Sequence, residues 1–142
     1  MSGNVAIVEQ AIECLNNGDL DGYMSMYSPD AQFVGYPAEV PPNYEGVKAF
    51  YADLLRALGQ LEVEPIDLFA AGERVVARFT LSGFHNEELL GAAPTKHGVS
   101  VEGLTILYFV DGKVLHRVNR IDELSFLNQI GVIPTPGATS TG

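Results

Sequence analysis

Positive charge is scarce in this chain: eight lysines and arginines face eighteen aspartates and glutamates in 142 residues, a net charge of −10. Nucleic acid and anionic membrane surfaces are bound through basic patches, so neither is expected as a partner. Tryptophan is absent, and cysteine occurs once, at Cys14. A lone cysteine excludes a disulfide framework and a cysteine metal cluster. It reads as a core residue, and a reduced cytoplasm is the expected compartment. No stretch approaches the ~20 apolar residues of a membrane-spanning helix. The first ten residues lack the basic flank and apolar run of a signal peptide. The three histidines form neither His-x-x-x-His nor His-Glu-x-x-His, so no metal site is expected. Glycine-rich phosphate loops and Gly-x-Ser-x-Gly are missing too. What is there is a chain with 46% hydrophobic residues. A single domain of this length buries roughly 68–70% of its unfolded surface, enough for a core and a pocket. A hydrophobic small molecule is the expected partner.

Apolar residues recur at helical spacing over residues 4–17, where Val5, Val8, Ala11, Ile12 and Leu15 form a stripe. A short helix is expected over 19–28, broken by Ser28-Pro29-Asp30, then a strand over 31–36. Three prolines stiffen the loop 37–42. A third helix over 46–58 carries a wide apolar arc, as suits a helix lying on a sheet. From Leu61 the pattern is that of strands: 61–70, with Pro65 marking an edge or bulge, then 74–85 and 98–109. Residues 134–142 have nothing apolar to bury and are expected to be disordered, leaving one domain over 1–133. Helices followed by hairpin-linked strands indicate an α+β fold. Three N-terminal helices pack on a curved, mostly antiparallel sheet that closes as a cone-shaped barrel, with a short C-terminal helix.

The stretch 104–131 organises the rest. Asp111-Gly112 makes a two-residue turn, a strand follows over 114–121, and Asp122 opens a helix over 122–130. Strict alternation puts His116, Val118, Arg120 and Asp122 on one face, expected to line a cavity. Arg117 and Asn119 then face solvent or a partner chain, unless a bulge exchanges the two sets. Asp122 suits proton abstraction next to a carbonyl if its surroundings are apolar. It equally suits a helix cap, and a capping donor would weaken it as a base. Arg120 and Arg78 are candidate oxyanion or carboxylate anchors, and Arg120 is close enough in sequence to pair with Asp122. His85, after Gly83 at a strand end, is a candidate donor or second acid/base group. Tyr23, Tyr27, Tyr36, Phe33, Phe50 and Tyr51 are aromatics expected near the cavity, with Tyr36 and Tyr51 as candidate substrate contacts.

The order and spacing of several short motifs resemble the SnoaL-like polyketide cyclases. These are a branch of the cone-shaped α+β barrels related to nuclear transport factor 2 and ketosteroid isomerase. The matching features are Gly83-x-His85, Gly91, Pro94-Thr95, Glu102-Gly103, the turn from Asp111 to Lys113, and Asp122-x-Leu124-x-x-Leu127-x-Gln129-x-Gly131. The resemblance implies intramolecular aldol ring closure without a cofactor, with Asp122 as general acid/base. It departs at Val118, where the family commonly has tryptophan, and at Lys96-His97, where it has Gly-Lys. Epoxide opening by an Asp122–Arg120 pair, isomerisation on the same fold, and a non-catalytic binding module are the rival readings. A homodimer or homotetramer is expected.

Overall fold

Val8, Ala11 and Leu15 form one buried stripe along helix α1 (Ser2–Asn16), which lies against the sheet. The computed structural model describes residues 2–131, so the expected disordered tail lies outside the described residues. Helix α2 (Leu20–Met24) starts at Asp19, whose Oδ1 accepts from Gly22 N at 2.9 Å. Helix α3 (Tyr44–Ala57) starts in the same way at Asn43, whose Oδ1 accepts from Gly46 N at 2.8 Å. Both satisfy donors that a helix start leaves open.

The strands are β1 (Tyr27–Val34), β2 (Leu58–Ala71), β3 (Arg74–His85), β4 (Gly98–Val110) and β5 (Lys113–Ile121). They form one sheet in the order β1-β5-β4-β3-β2, antiparallel except for the parallel pair β1–β5. Helix α4 (Glu123–Gln129) closes the described chain. This is the α+β cone expected from the sequence.

Several boundaries differ from expectation: α3 and β2 begin at Tyr44 and Leu58 rather than Gly46 and Leu61, and the largest shift is at the start of the sheet. The second helix stops at Met24, and β1 begins at Tyr27 rather than Ala31. Pro29 is accommodated because β1 is an edge strand whose pairing register shifts between Tyr27 and Gln32. Pro65 sits in the opposite edge strand, beside a register shift before Asp67, as the sequence indicated.

The inner face of the sheet carries Val75, Ala77 and Phe79 from β3, and Val99, Val101, Leu107 and Phe109 from β4. On β5 a bulge changes the parity. Tyr108 pairs with His116 but Phe109 pairs with Val114, so Leu115 is an extra residue. Val114 and Arg117 therefore both point inward, three residues apart, and Asn119 follows inside. The expected face of His116, Val118, Arg120 and Asp122 is thus corrected: below the bulge, the inner set is Arg117, Asn119 and Ile121.

A buried arginine among tyrosines

Arg117 is only 6% exposed. Its Nε donates to Thr105 Oγ1 at 2.8 Å, and its Nη2 donates to Asn119 Oδ1 at 3.0 Å. Its Nη1 reaches three tyrosine oxygens: Tyr23 at 2.7 Å, Tyr27 at 2.6 Å and Tyr51 at 3.2 Å. The Tyr36 ring lies under the guanidinium, 5.8 Å from Cζ to centroid. The hydroxyls join in pairs, Tyr23 with Tyr27 at 2.9 Å and Tyr36 with Tyr51 at 2.7 Å. No described carboxylate forms an ion pair with Arg117; the six ion pairs all involve Lys48, Arg56 or Arg78.

Burial pushes the Tyr23, Tyr27 and Tyr36 hydroxyls above their ordinary range, so they stay neutral near pH 7. Burial also opposes the charge on Arg117, but the four surrounding tyrosine oxygens outweigh it and raise its pKa. The centre is therefore a fixed cation ringed by neutral hydroxyls.

Two hollows meet here, both partly open to solvent, and their volumes include that open space. The first, with about 450 Å³ of empty volume, reaches Arg117 and Thr105 past Val8, Leu15 and Leu107. The second, about 530 Å³, runs from Asn119 past Tyr36, Phe50 and Ile121 to Glu123 and Phe126. Tyr51, Phe79 and Leu81 line both. Apart from the arginine end, the walls are almost wholly apolar and aromatic. Gly35 lets β1 approach β5 beside this site, since a Cβ there would overlap the Asn119 carbonyl oxygen.

The structure brings Tyr36 and Tyr51 into the hollows and takes the other expected site residues elsewhere. Val118 is half-buried on the outer face, opposite Ile106. His116, also outside, packs its ring on Tyr108 at 5.2 Å. Arg78 is outside as well, bonded to Asp67 at 2.7 Å and Glu102 at 3.0 Å. Arg120 donates to its neighbour's carbonyl, Asn119 O, at 2.8 Å and makes no ion pair with Asp122. The bulge at Leu115 is the common cause for the β5 residues.

Asp122 is exposed and caps α4: its Oδ1 accepts from Ser125 N at 3.1 Å. Its Oδ2 makes no hydrogen bond to a described residue. Asp122 lines neither hollow, although its neighbours Ile121 and Glu123 line the second. His85 is 0% exposed and also lines neither hollow. Its Nδ1 lies 3.2 Å from Thr95 Oγ1 and 3.3 Å from Thr95 N, and its Nε2 has no partner among the described residues. His85 thereby ties the 86–97 loop to the end of β3.

Arg117, Asn119, Thr105, Tyr23 and Tyr27 form the polar end of the site. The tyrosines were legible as aromatics near a cavity. Arg117 and Asn119 were not placed there, because nothing in the composition marks the extra residue at Leu115.

Fold and site define a class: a cone-shaped α+β protein enclosing an aromatic chamber with one buried cation. The family model of the SnoaL-like polyketide cyclases matches residues 5–130, and the chain belongs to that family. It is 28% identical over 139 residues to the aklanonic acid methyl ester cyclase AcmA of Streptomyces galilaeus, covering 92% of each chain. The crystal structure of AclR from Streptomyces galilaeus, provisionally assigned as a hydroxylase, superposes with a TM-score of 0.84. That match has 28% identity and covers 94% of this chain and 99% of AclR. An NTF2-like protein of unknown function from Burkholderia pseudomallei shares the fold at a TM-score of 0.75 and 18% identity, over 92% of this chain and 99% of its own. Among the described residues, no helix is long and apolar enough to cross a membrane.

Proposed function

We propose that this protein closes a carbon ring in a polyketide-like small molecule by a cofactor-independent, intramolecular aldol step. One observation carries this reading: an apolar, aromatic chamber ends in a buried donor cluster, Arg117 with Tyr23, Tyr27 and Tyr51. Donors already fixed at the spot where an oxyanion develops lower the barrier without reorganising during the reaction. In the proposed step, Asp122 takes a proton from the carbon beside a carbonyl. The enolate carbon attacks a second carbonyl of the same molecule, and the new alkoxide recovers the proton. Atoms balance, and the product has the mass of the substrate. Asp122 is assigned the proton through its place in the family motif, and its unbonded Oδ2 is the oxygen available.

AcmA is named for aklanonic acid methyl ester, and that compound is the first to try. Incubation followed by chromatography and mass spectrometry is expected to give a product of unchanged mass and new retention. Recovery of unaltered substrate, or a product that has gained an oxygen atom, rejects ring closure of this compound. The protein is further proposed to act in the cytoplasm as a homodimer or homotetramer joined through the outer sheet face. That face exposes Leu104 and Phe69 and carries half-buried Val118. Light scattering should give two or four times the mass of one chain, and a monomer rejects the assembly.

A further inference from the structure

The donor cluster has more hydrogens than acceptors. A guanidinium carries five N–H hydrogens: one on Nε and two on each terminal nitrogen. The Nε hydrogen goes to Thr105, and the Nη1 pair faces three tyrosine oxygens. Nη2 has one acceptor, Asn119 Oδ1, for its two hydrogens. The tyrosines add four hydroxyl hydrogens, and the pairings Tyr23–Tyr27 and Tyr36–Tyr51 use only one each. One guanidinium hydrogen and two hydroxyl hydrogens thus have no acceptor among the described residues. Thr105 accepts the Nε hydrogen and spends its own on Val118 O at 3.0 Å. The buried positive charge has no carboxylate partner among the described residues either. An isolated buried charge is costly unless something pairs with it.

We infer that this centre binds its ligand as a pre-formed organic oxyanion: an ionised enol or phenol conjugated to a ring, with the anionic oxygen on Arg117 and the tyrosine hydroxyls. The chemistry of the walls selects this anion over others. A charge spread over a conjugated ring leaves water more readily than a compact carboxylate, and its flat body matches the aromatic lining of Tyr23, Tyr51 and Phe79. Guanidinium hydrogen bonds to anions are also about twice as strong as neutral ones. This rests on the chamber being the substrate site, and it narrows the substrates above to those carrying an acidic enol or phenol.

Three two-ring probes test it with the wild-type protein. 2-Hydroxy-1,4-naphthoquinone is ionised at neutral pH, 2-methoxy-1,4-naphthoquinone cannot ionise, and 2-naphthoate carries a carboxylate. Calorimetry should show the hydroxyquinone binding about tenfold or more tighter than its methyl ether, the gain of a charge-assisted hydrogen bond. The naphthoate should bind more weakly than the hydroxyquinone. In Arg117→Met, checked for folding by circular dichroism, the preference over the ether should vanish. Equal binding of hydroxyquinone and ether overturns the inference, as does a naphthoate that binds as tightly. If Arg117→Met does not fold, the wild-type comparison decides alone. Ring closure can fail on aklanonic acid methyl ester while the anion preference stands, and the reverse, so the two proposals fall separately.

Discussion

Asp122 and Tyr23 show how much one side chain decides. Asparagine caps helices about as well as aspartate, whereas alanine costs about 1 kcal/mol at such a position. Asp122→Asn is therefore expected to melt like the wild type and to lose turnover, while Asp122→Ala loses about 1 kcal/mol of stability as well. Glu123→Gln, on the rim of the second hollow, should retain turnover. Turnover retained in Asp122→Asn and lost in Glu123→Gln would move the proton-transfer role to the rim carboxylate. Tyr23→Phe removes an acceptor that Arg117 uses at 2.7 Å and a partner of Tyr27. Leaving such buried groups short of a partner costs about 1–3 kcal/mol, to be read from urea denaturation. Residue roles were the least legible part of the sequence. The two-residue turn fixes Val114 on the inner face. Strict alternation from there puts His116, Val118 and Arg120 inside. The single extra residue at Leu115 reverses that, and no residue type announces it.

Elements were far more legible, because each carries its own periodicity and punctuation. The stripe of α1, the helix start at Asp19, Pro65 in its edge strand and the Asp111-Gly112 turn are all local signals, whereas the cap at Asn43 lies ahead of the expected start of α3 at Gly46. Asp111 and Gly112 take φ of 49° and 79°, the positive pair that a tight hairpin needs. The start of β1 was less legible, since Ser28-Pro29-Asp30 reads as a break until its place at an edge is known. Helix α4 is short and depends on tertiary contacts. Phe126 and Ile130 bury their side chains, and Gln129 brackets Ser100, accepting from its N at 2.8 Å and donating to its O at 3.0 Å. Phe126→Ala should cost about 3 kcal/mol, since it removes a buried ring that also walls the second hollow. Denaturation would measure the loss. Hydrogen exchange should quicken in α4 and around Ser100, while the β2–β3 pairing keeps its protection.

The whole molecule joins an acidic exterior to a chamber whose one cation is sealed inside. This has a pH signature. Burial raises the pKa of Tyr23, Tyr27 and Tyr36 in the folded state above the value of about 10 in the unfolded chain. Their contribution is complete below that value and is lost as pH rises through the folded values. Stability should therefore fall as pH climbs past about 10. Absorbance of tyrosinate should show Tyr23, Tyr27 and Tyr36 ionising late, together with unfolding. A single step near the ordinary tyrosine range for all six tyrosines of the chain would contradict the buried cluster.

The central claim is that the ligand's oxygen is held by the inner face of β5, at Arg117 and Asn119, and not by the arginines outside it. Nuclear magnetic resonance of the arginine Nε–H groups during titration with 2-hydroxy-1,4-naphthoquinone tests this most directly. The Arg117 signal should shift with ligand while those of Arg78 and Arg120 stay in place. A shift at Arg78 or Arg120 with Arg117 unmoved would contradict the account.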